Sequence, residues 1–456
     1  MKKAIGLILI VIVIITGIVI HLKLGNQPEE TVPENEQATS EDDDNIIVFS
    51  EPEDIIRINI ATKEELPSSK DEGTINTLLK VSVNDDTYET YGTIAVQGTS
   101  TAKRPKKNWS LKLYKDKARK ESLKMKIGDS IASDQWITKA EWIDPSMLRN
   151  AVSYRLWGSM TASRTIEPQY EVNNVPVNKQ IEGAQGFPKT YAALVTVNGE
   201  HYGLAILTLG HDPDNFNIDK DNPRHAYLEF DARHGYTDVK TWEKFKSEGI
   251  GEWIDGYWPK NDDFSNELKD SIDSLGKLIN GPLEEFKANF DNHLDKTNII
   301  DMLLFIEAIH DWDSVAQDIE MVTYDLKKWY FLPWDKDITF GLRWDLTGLV
   351  ENSENKLVLS YDELKTPQMP WYKTYHAFTD EVEARYRELR EKGVFTSQNL
   401  DTLAQEITSK ITEDMRKQEY DRWIEEGRPS VEEATHEQLI TWFEQKLKTM
   451  DKNFNY

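Results

Sequence analysis

The stretch 310–341, HDWDSVAQDIEMVTYDLKKWYFLPWDKDITFG, constrains this chain more than any other. It overlaps NIIDMLLFIEAIHDW (298–312), a run too apolar for a surface helix, which predicts a helix buried in a core. EMVTYDLKKWYFLPWD (320–335) then predicts a hairpin of two apolar strands. Asp311, Asp313, Asp318, Asp335 and Asp337 sit inside or beside these core-like runs. Carboxylates are rarely buried unless they are paired or hold a metal. Asp313 falls at the helix end, Asp318 five positions later, and Asp335 and Asp337 where the second strand emerges. Residues two apart in a strand share a face, so the last two are expected to point at one site. Carboxylates from a strand end and a helix end together make a hard-oxygen set suited to Mg²⁺ or Mn²⁺. Such a set serves phosphoryl transfer, with one further aspartate accepting the proton of the attacking hydroxyl. The competing reading is that each aspartate caps a helix or closes a turn.

A second constellation is VQGTSTAKRPKKNWSL (96–111). Gly98 and the hydroxyls around Ser100 could offer backbone N–H groups and oxygens to phosphates. Lys103, Arg104, Lys106 and Lys107 concentrate positive charge in a chain of net charge −26. Lys107 is in phase with Trp109, Leu111 and Leu113, which predicts a lysine aimed at the apolar side and needing an anionic partner. Taken alone, the segment reads equally well as an exposed basic loop.

The rest of the chain supplies a frame for these two segments. IIRINIA, LLKVSV, TIAVQG and NWSLKLY alternate as strands between about 54 and 115. YAALVTVNGEHYGLAILTL (191–209) predicts a hairpin about Asn198-Gly199. DPSMLRNAVSYRLWGSM (144–160) predicts a helix capped by Asp144 with Pro145 in its first position. Beyond 370, DEVEARYRELREKGV and EEATHEQLITWFEQKLKTM predict amphipathic helices. Strands early and helices late make one α+β domain over 54–456.

The uncharged run AIGLILIVIVIITGIVI (4–20) predicts an uncleaved transmembrane anchor within 1–24; the competing reading is a cleaved secretion signal. Either way the main domain is expected outside the cytoplasm. Residues 25–53 are acidic and nearly free of aromatics, which predicts a disordered linker. The acidic balance argues against nucleic acid as a partner and fits a basic protein or a metal–nucleotide complex. With no cysteine, thiolate chemistry is excluded. The nine histidines are scattered, which argues against a hydrolase of the histidine-zinc type. HDPDNFNIDKDNP (211–223) lacks the glycine and terminal glutamate of a calcium loop and is expected to be a polar turn.

VQGTSTAKRPKKNWSLKL, EWIDPSMLRNAVSYRLW, VTVNGEHYGLAIL, IHDWDSVAQD and WYFLPWDKDITFG, in this order over about 94–341, resemble the CotH family of atypical kinases, the spore-coat protein H type. The resemblance implies a kinase-like fold, β-rich before and helical after, using ATP and Mg²⁺ or Mn²⁺. It implies a bacterial membrane-tethered enzyme that phosphorylates Ser or Thr on exported or cell-surface proteins, basic Ser-rich ones being best matched to the charge. Asp313 would be the catalytic aspartate, and Asp318, Asp335 and Asp337 the metal ligands. Lys106, Lys107, Gly98, Ser100 and Arg149 would hold the nucleotide, with Asn150 beside Arg149 in the same helix motif. Two positions depart from the family pattern: Asp318 stands where Asn is usual, and Leu209-Gly210 where many relatives carry an acid. These departures carry the alternative of a catalytically weak pseudokinase serving as a surface binding, adhesion or scaffold module. The Trp-bearing stretch EGIGEWIDGYWPKND (248–262) could then offer contact aromatics.

Overall fold

The computed structural model describes residues 45–164, 181–230, 241–315, 317–343, 356–360, 370–428 and 435–456. Seven strands of the N-terminal half close into a barrel: β2 (Ile56–Ala61), β3 (Thr74–Val83), β4 (Asp86–Gln97), β5 (Asn108–Tyr114), β7 (Gln135–Lys139), β8 (Thr190–Val197) and β9 (Glu200–Leu209). They lie in the order β2-β3-β4-β5-β7-β9-β8, and the parallel pairing of β2 with β8 closes the ring. Two left-handed asparagines drive the local steps. Asn84 turns β3 into β4, and Asn198 with Gly199 turns β8 into β9, as the short loops required. The interior is filled by inward residues such as Ile58, Ile94, Leu111, Trp109 and Trp136.

The domain begins earlier than its composition indicates. β1 (Ile46–Phe49) pairs in parallel with β6 (Lys124–Ile127), burying Ile47 and Phe49. The expected linker over 25–53 is therefore ordered strand at its end, because IIVF carries two inward apolar side chains past the acidic run. Residues 1–44, and with them the apolar run, lie outside the described residues. Among the described residues no helix is long and apolar enough to cross a membrane.

The C-terminal half is helical around a four-stranded antiparallel sheet. The sheet runs β11-β10-β12-β13, from β10 (Ala226–Phe230), β11 (Ile254–Trp258), β12 (Ile319–Thr323) and β13 (Trp329–Pro333). Around it lie α1 (Arg149–Ala162), α2 (Asn266–Asn280), α3 (Leu283–Asn289), α4 (Lys296–Ile309), α5 (Pro370–Ala377), α6 (Thr379–Glu391), α7 (Ser397–Thr408), α8 (Glu413–Trp423) and α9 (His436–Asn453). The mixed α+β order, strands first and helices later, is the one expected. α4 buries every residue from Asn298 to Ile309, in keeping with its largely apolar run, and Asp301 and Glu307 within it are buried as well. Each such Leu, Ile or Phe contributes about 1.5–3 kcal/mol by leaving water. Asn298 fastens α4 to the sheet, its side chain accepting from Phe331 N–H at 2.7 Å and donating to the Phe331 carbonyl at 3.0 Å. α1 starts later than expected. Asp144 accepts from Ser146, Leu148 and Arg149 N–H groups, but it closes a turn ahead of the helix, whose first residue is Arg149.

Candidate functional site

The end of the buried helix and the end of the hairpin meet at a buried ion pair. α4 stops at His310, whose left-handed backbone (φ 56°) turns the chain into a short helical turn over Asp313–Val315. Asp311 caps that turn, accepting from Asp313 and Ser314 N–H groups at 3.1 Å each. From the other segment comes Lys336, completely buried, with its ammonium 2.9 Å from Asp311 Oδ2 and donating to Ser314 Oγ at 2.5 Å. Helix end and strand end are thus pinned by a buried ion pair between neighbours of the candidate residues.

Asp335 and Asp337 do not share a strand face. β13 ends at Pro333, and Asp335 is left-handed with φ 51°, so the step from 335 to 337 is not extended. Asp318 is left-handed too, at φ 48°, as is Glu141 at φ 47°. Asp is among the residues that tolerate this region, yet the conformation still stores strain and concentrates at functional sites. α1 holds the strained segment. Asn150 Oδ1 accepts from Lys336 N–H at 2.7 Å, and Tyr154 Oη accepts from Asp335 N–H at 3.0 Å. Replacing Tyr154 by Phe orphans that N–H. We expect a loss of about 1–3 kcal/mol in denaturant unfolding, with the helical signal unchanged.

The cation facing the aspartates is Lys139, the last residue of β7. Its ammonium lies 2.5 Å from Asp335 Oδ1 and 5.4 Å from the Trp334 ring centroid. Burial works against its charge, but Asp335, with Glu141 and Asp337 nearby, holds its proton affinity above that of a free lysine. Glu141 is buried beside it and accepts from Asn150 Nδ2 at 3.1 Å. Burial, and then the charges of Asp144, Asp337 and Asp335, raise the Glu141 carboxyl well above the usual range against the opposing pull of Lys139. Lys139 was not among the residues picked from sequence. Its only local signal is a lysine closing a strand, QWITK, that is otherwise buried after its first residue.

Burial and neighbouring charges shift all four aspartates. Burial raises Asp313, reinforced by Asp311 and Asp337; burial likewise raises Asp318, reinforced by Asp335 and Asp313. Asp337 is pushed up to about 7 by burial and then by Asp335. Asp335 is the exception. Burial opposes its ionisation, but Lys139 and Lys336 outweigh that and keep it below the usual carboxylate range.

The residues expected to hold a nucleotide behave differently. The inward lysine is Lys106, not Lys107. It is 1% exposed, and its three protons go to the Ala140 carbonyl (3.0 Å), the Leu204 carbonyl and Glu419 of α8 (2.7 Å). A lysine has three donors, so none remains for a phosphate. Lys107 lies just before β5, half-buried, and its ammonium is bound to the Ala102 carbonyl at 2.9 Å. Arg149 is fully buried and spends its guanidinium on Asp144, Ser146, the Thr339 carbonyl and Gln438, tying α1 to α9 as a structural knot. Gly98 is left-handed (φ 96°), and a Cβ there would also meet Thr101 Oγ1 at 2.0 Å, so the position suits glycine; Ser100 is exposed in the same loop. The loop adjoins the site through Asn108 Oδ1, which accepts from Ala140 N–H at 2.7 Å. Among the described residues no hydrogen bond or ion pair joins Gly98, Ser100 or Lys107 to the aspartates. In the 211–223 turn, Asp212 is bound to Ser133 Oγ (2.7 Å) and Asp214 pairs with Lys220 (2.6 Å), so those carboxylates serve the fold. In the 248–262 stretch, Tyr257 and Trp258 pack on the apolar cluster formed by Phe216, Tyr227 and Tyr330, half-buried instead of standing free.

As to a metal, Asp313, Asp318, Asp335 and Asp337 fit a hard divalent cation by donor type and by the repulsion a cation would relieve. Among the described residues, no three acidic or histidine side chains yet converge as a ready cation cage. Lys139 engages Oδ1 of Asp335, which leaves its second oxygen to a cation. The family model described as CotH kinase protein matches residues 94–450. No curated protein matches the chain.

Proposed function

The chain belongs to the CotH kinase protein family, and from that premise we propose that it is a protein kinase that transfers the γ-phosphoryl group of ATP to Ser or Thr on exported proteins. The observation that carries the reading is the Lys139–Asp335 pair, set among Asp313, Asp318 and Asp337. The proposal extends to a kinase-like fold and to an N-terminal run, 4–20, that tethers the domain outside the membrane.

In this reading Asp335, Asp337 and Asp318 would hold Mg²⁺ or Mn²⁺, which when bound supplies charge neutralisation for the phosphates. Lys139 leaves Asp335 and donates to phosphate oxygens; among the described residues its hydrogen-bond partner is the half-exposed carboxylate of Asp335. Asp313 orients the acceptor hydroxyl and takes its proton. Its raised proton affinity brings it nearer the range in which a base accepts a proton at neutral pH. Asn150 and Tyr154 keep the 335–336 backbone fixed while the lysine changes partner. The excess of acid, 80 Asp and Glu against 54 Lys and Arg, favours a basic substrate segment.

The full chain in detergent micelles, given labelled ATP, Mn²⁺ and a basic Ser-rich peptide, is expected to label the peptide. Saturating nucleotide should also stabilise the fold by about 2–3 kcal/mol at a hundredfold excess over its Kd. Neither labelling nor stabilisation would remove the kinase reading. A second reading, a nucleotide-binding surface module without transfer, is favoured by Asp318. Its added charge beside Asp313 and Asp335 repels phosphate unless a second cation compensates it. Stabilisation without labelling selects that reading.

A further inference from the structure

His211, two residues past β9, lies outside the roles assigned above, yet it touches both segments that carry the acidic ligands. Its backbone is tied to the barrel through its neighbour Asp212, whose carboxylate accepts from Ser133 Oγ at 2.7 Å. Its Nδ1 is 2.7 Å from Glu320 Oε1, and Glu320 is fully buried two positions after Asp318. Its ring lies against Trp334, the residue before Asp335, with centroids 3.9 Å apart. On the other face it stacks on Tyr257 at 3.9 Å and 11°, and Tyr257 Oη stands 3.2 Å from Nε2.

The register explains why a partner is needed there. Glu320 of β12 lies directly opposite Glu229 of β10. Two acids facing each other across a strand pair each need a hydrogen-bond partner. His211 Nδ1 bonds Glu320, and Tyr257 donates to Glu229. The His211 bond fixes the start of β12, and Asp318 is the residue that leads into it.

We propose that His211 is a positioning residue, which by its bond to Glu320 and by bracing Trp334 holds Asp318 and Asp335 in register for one divalent cation. The inference rests on the cation-binding part of the function proposed above. It assigns His211 no contact with substrate or phosphate.

The test is Mn²⁺ affinity, read by electron paramagnetic resonance on the full chain with a saturating non-hydrolysable ATP analogue. His211→Phe keeps a ring between Trp334 and Tyr257 but removes the bond to Glu320; it is expected to weaken Mn²⁺ binding tenfold or more. His211→Asn, whose amide can still bond Glu320, is expected to stay closer to the parent than the Phe variant. A merely structural role would lower the melting temperature and leave the Mn²⁺ affinity of the folded protein as it was. His211→Phe within twofold of a parent that binds Mn²⁺ overturns the inference and leaves the kinase reading standing. A parent that binds no Mn²⁺ overturns the cation reading, and this inference with it. If His211→Phe does not fold, Glu320→Leu removes the same bond from its other end, with the same tenfold loss expected and the same twofold limit for rejection.

Discussion

Asp335→Asn is expected to lower phosphoryl transfer at least a thousandfold and to abolish Mn²⁺-dependent stabilisation by nucleotide, whereas Lys139→Met lowers transfer comparably but spares Mn²⁺ binding. A thousandfold is about 4 kcal/mol of barrier, the scale of a charge-stabilising group removed from a phosphoryl-transfer site. The two variants separate further in the absence of ligands. Lys139→Met leaves the Asp335 carboxylate without its cation, and Asp335→Asn leaves Lys139 buried without its anion. Breaking a fully buried pair costs about 3–5 kcal/mol, but Asp335 keeps 40% of its side-chain surface exposed. Solvent screening brings the expected loss down to roughly 1–3 kcal/mol for each single variant. The double variant should recover part of it, because neither group is then left charged and alone. Denaturant unfolding of the four proteins as a double-mutant cycle measures the coupling. Mn²⁺ should stabilise Lys139→Met more than the parent, since the cation no longer competes with an ammonium for Asp335. Equal Mn²⁺ stabilisation of Asp335→Asn and the parent would show that Asp335 is no ligand.

The four aspartates stood out in the chain because local pattern announces them: a mostly apolar buried helix, a hairpin of buried strands, and carboxylates at their ends. The hairpin turn at Asn198 was equally local. What escaped was set by distance along the chain. Lys139 faces Asp335 across 196 residues, and it does so because β7 pairs between β5 and β9 when the barrel closes. The phase of Lys107 with Trp109 was real only if the strand began at 107. β5 begins at Asn108, so the lysine before it follows the loop and Lys106 turns inward instead. Likewise the two-residue spacing of Asp335 and Asp337 lost its strand meaning when β13 stopped at Pro333. The strand Ile46–Phe49 was hidden by the acidic residues before it, since composition averages over a window that a four-residue strand does not fill. Family resemblance pointed to Lys106 and Lys107, but side-chain partners decide which lysine has a proton to give.

That distinction has a large energetic consequence at Glu419. Its carboxylate, 4% exposed, takes Lys106 on one oxygen at 2.7 Å, together with Arg428, and Leu204 N–H on the other at 2.7 Å. The approach is close enough that a Cβ on Gly203 would meet Glu419 Oε2 at 2.4 Å, so β9 carries a glycine where α8 docks. Burial lowers the Lys106 proton affinity to about 8, and Glu419 is the main charge opposing that fall. Glu419→Ala leaves two buried cations and one N–H without their acceptor. The expected loss is about 3–5 kcal/mol in denaturant unfolding, the range for removing one partner of a buried ion pair. Lys106→Met in the same background should restore part of it by removing one of the stranded charges. The nucleotide affinity of folded Glu419→Ala, and of the Lys106→Met single variant, should stay within a few-fold of the parent, because the three protons of Lys106 are all committed to protein acceptors. Loss of nucleotide binding in Lys106→Met at unchanged stability would reverse the assignment and return the phosphate role to the basic loop. The opposite pattern, stability lost and affinity kept, leaves Lys139 as the lysine whose partner can be exchanged.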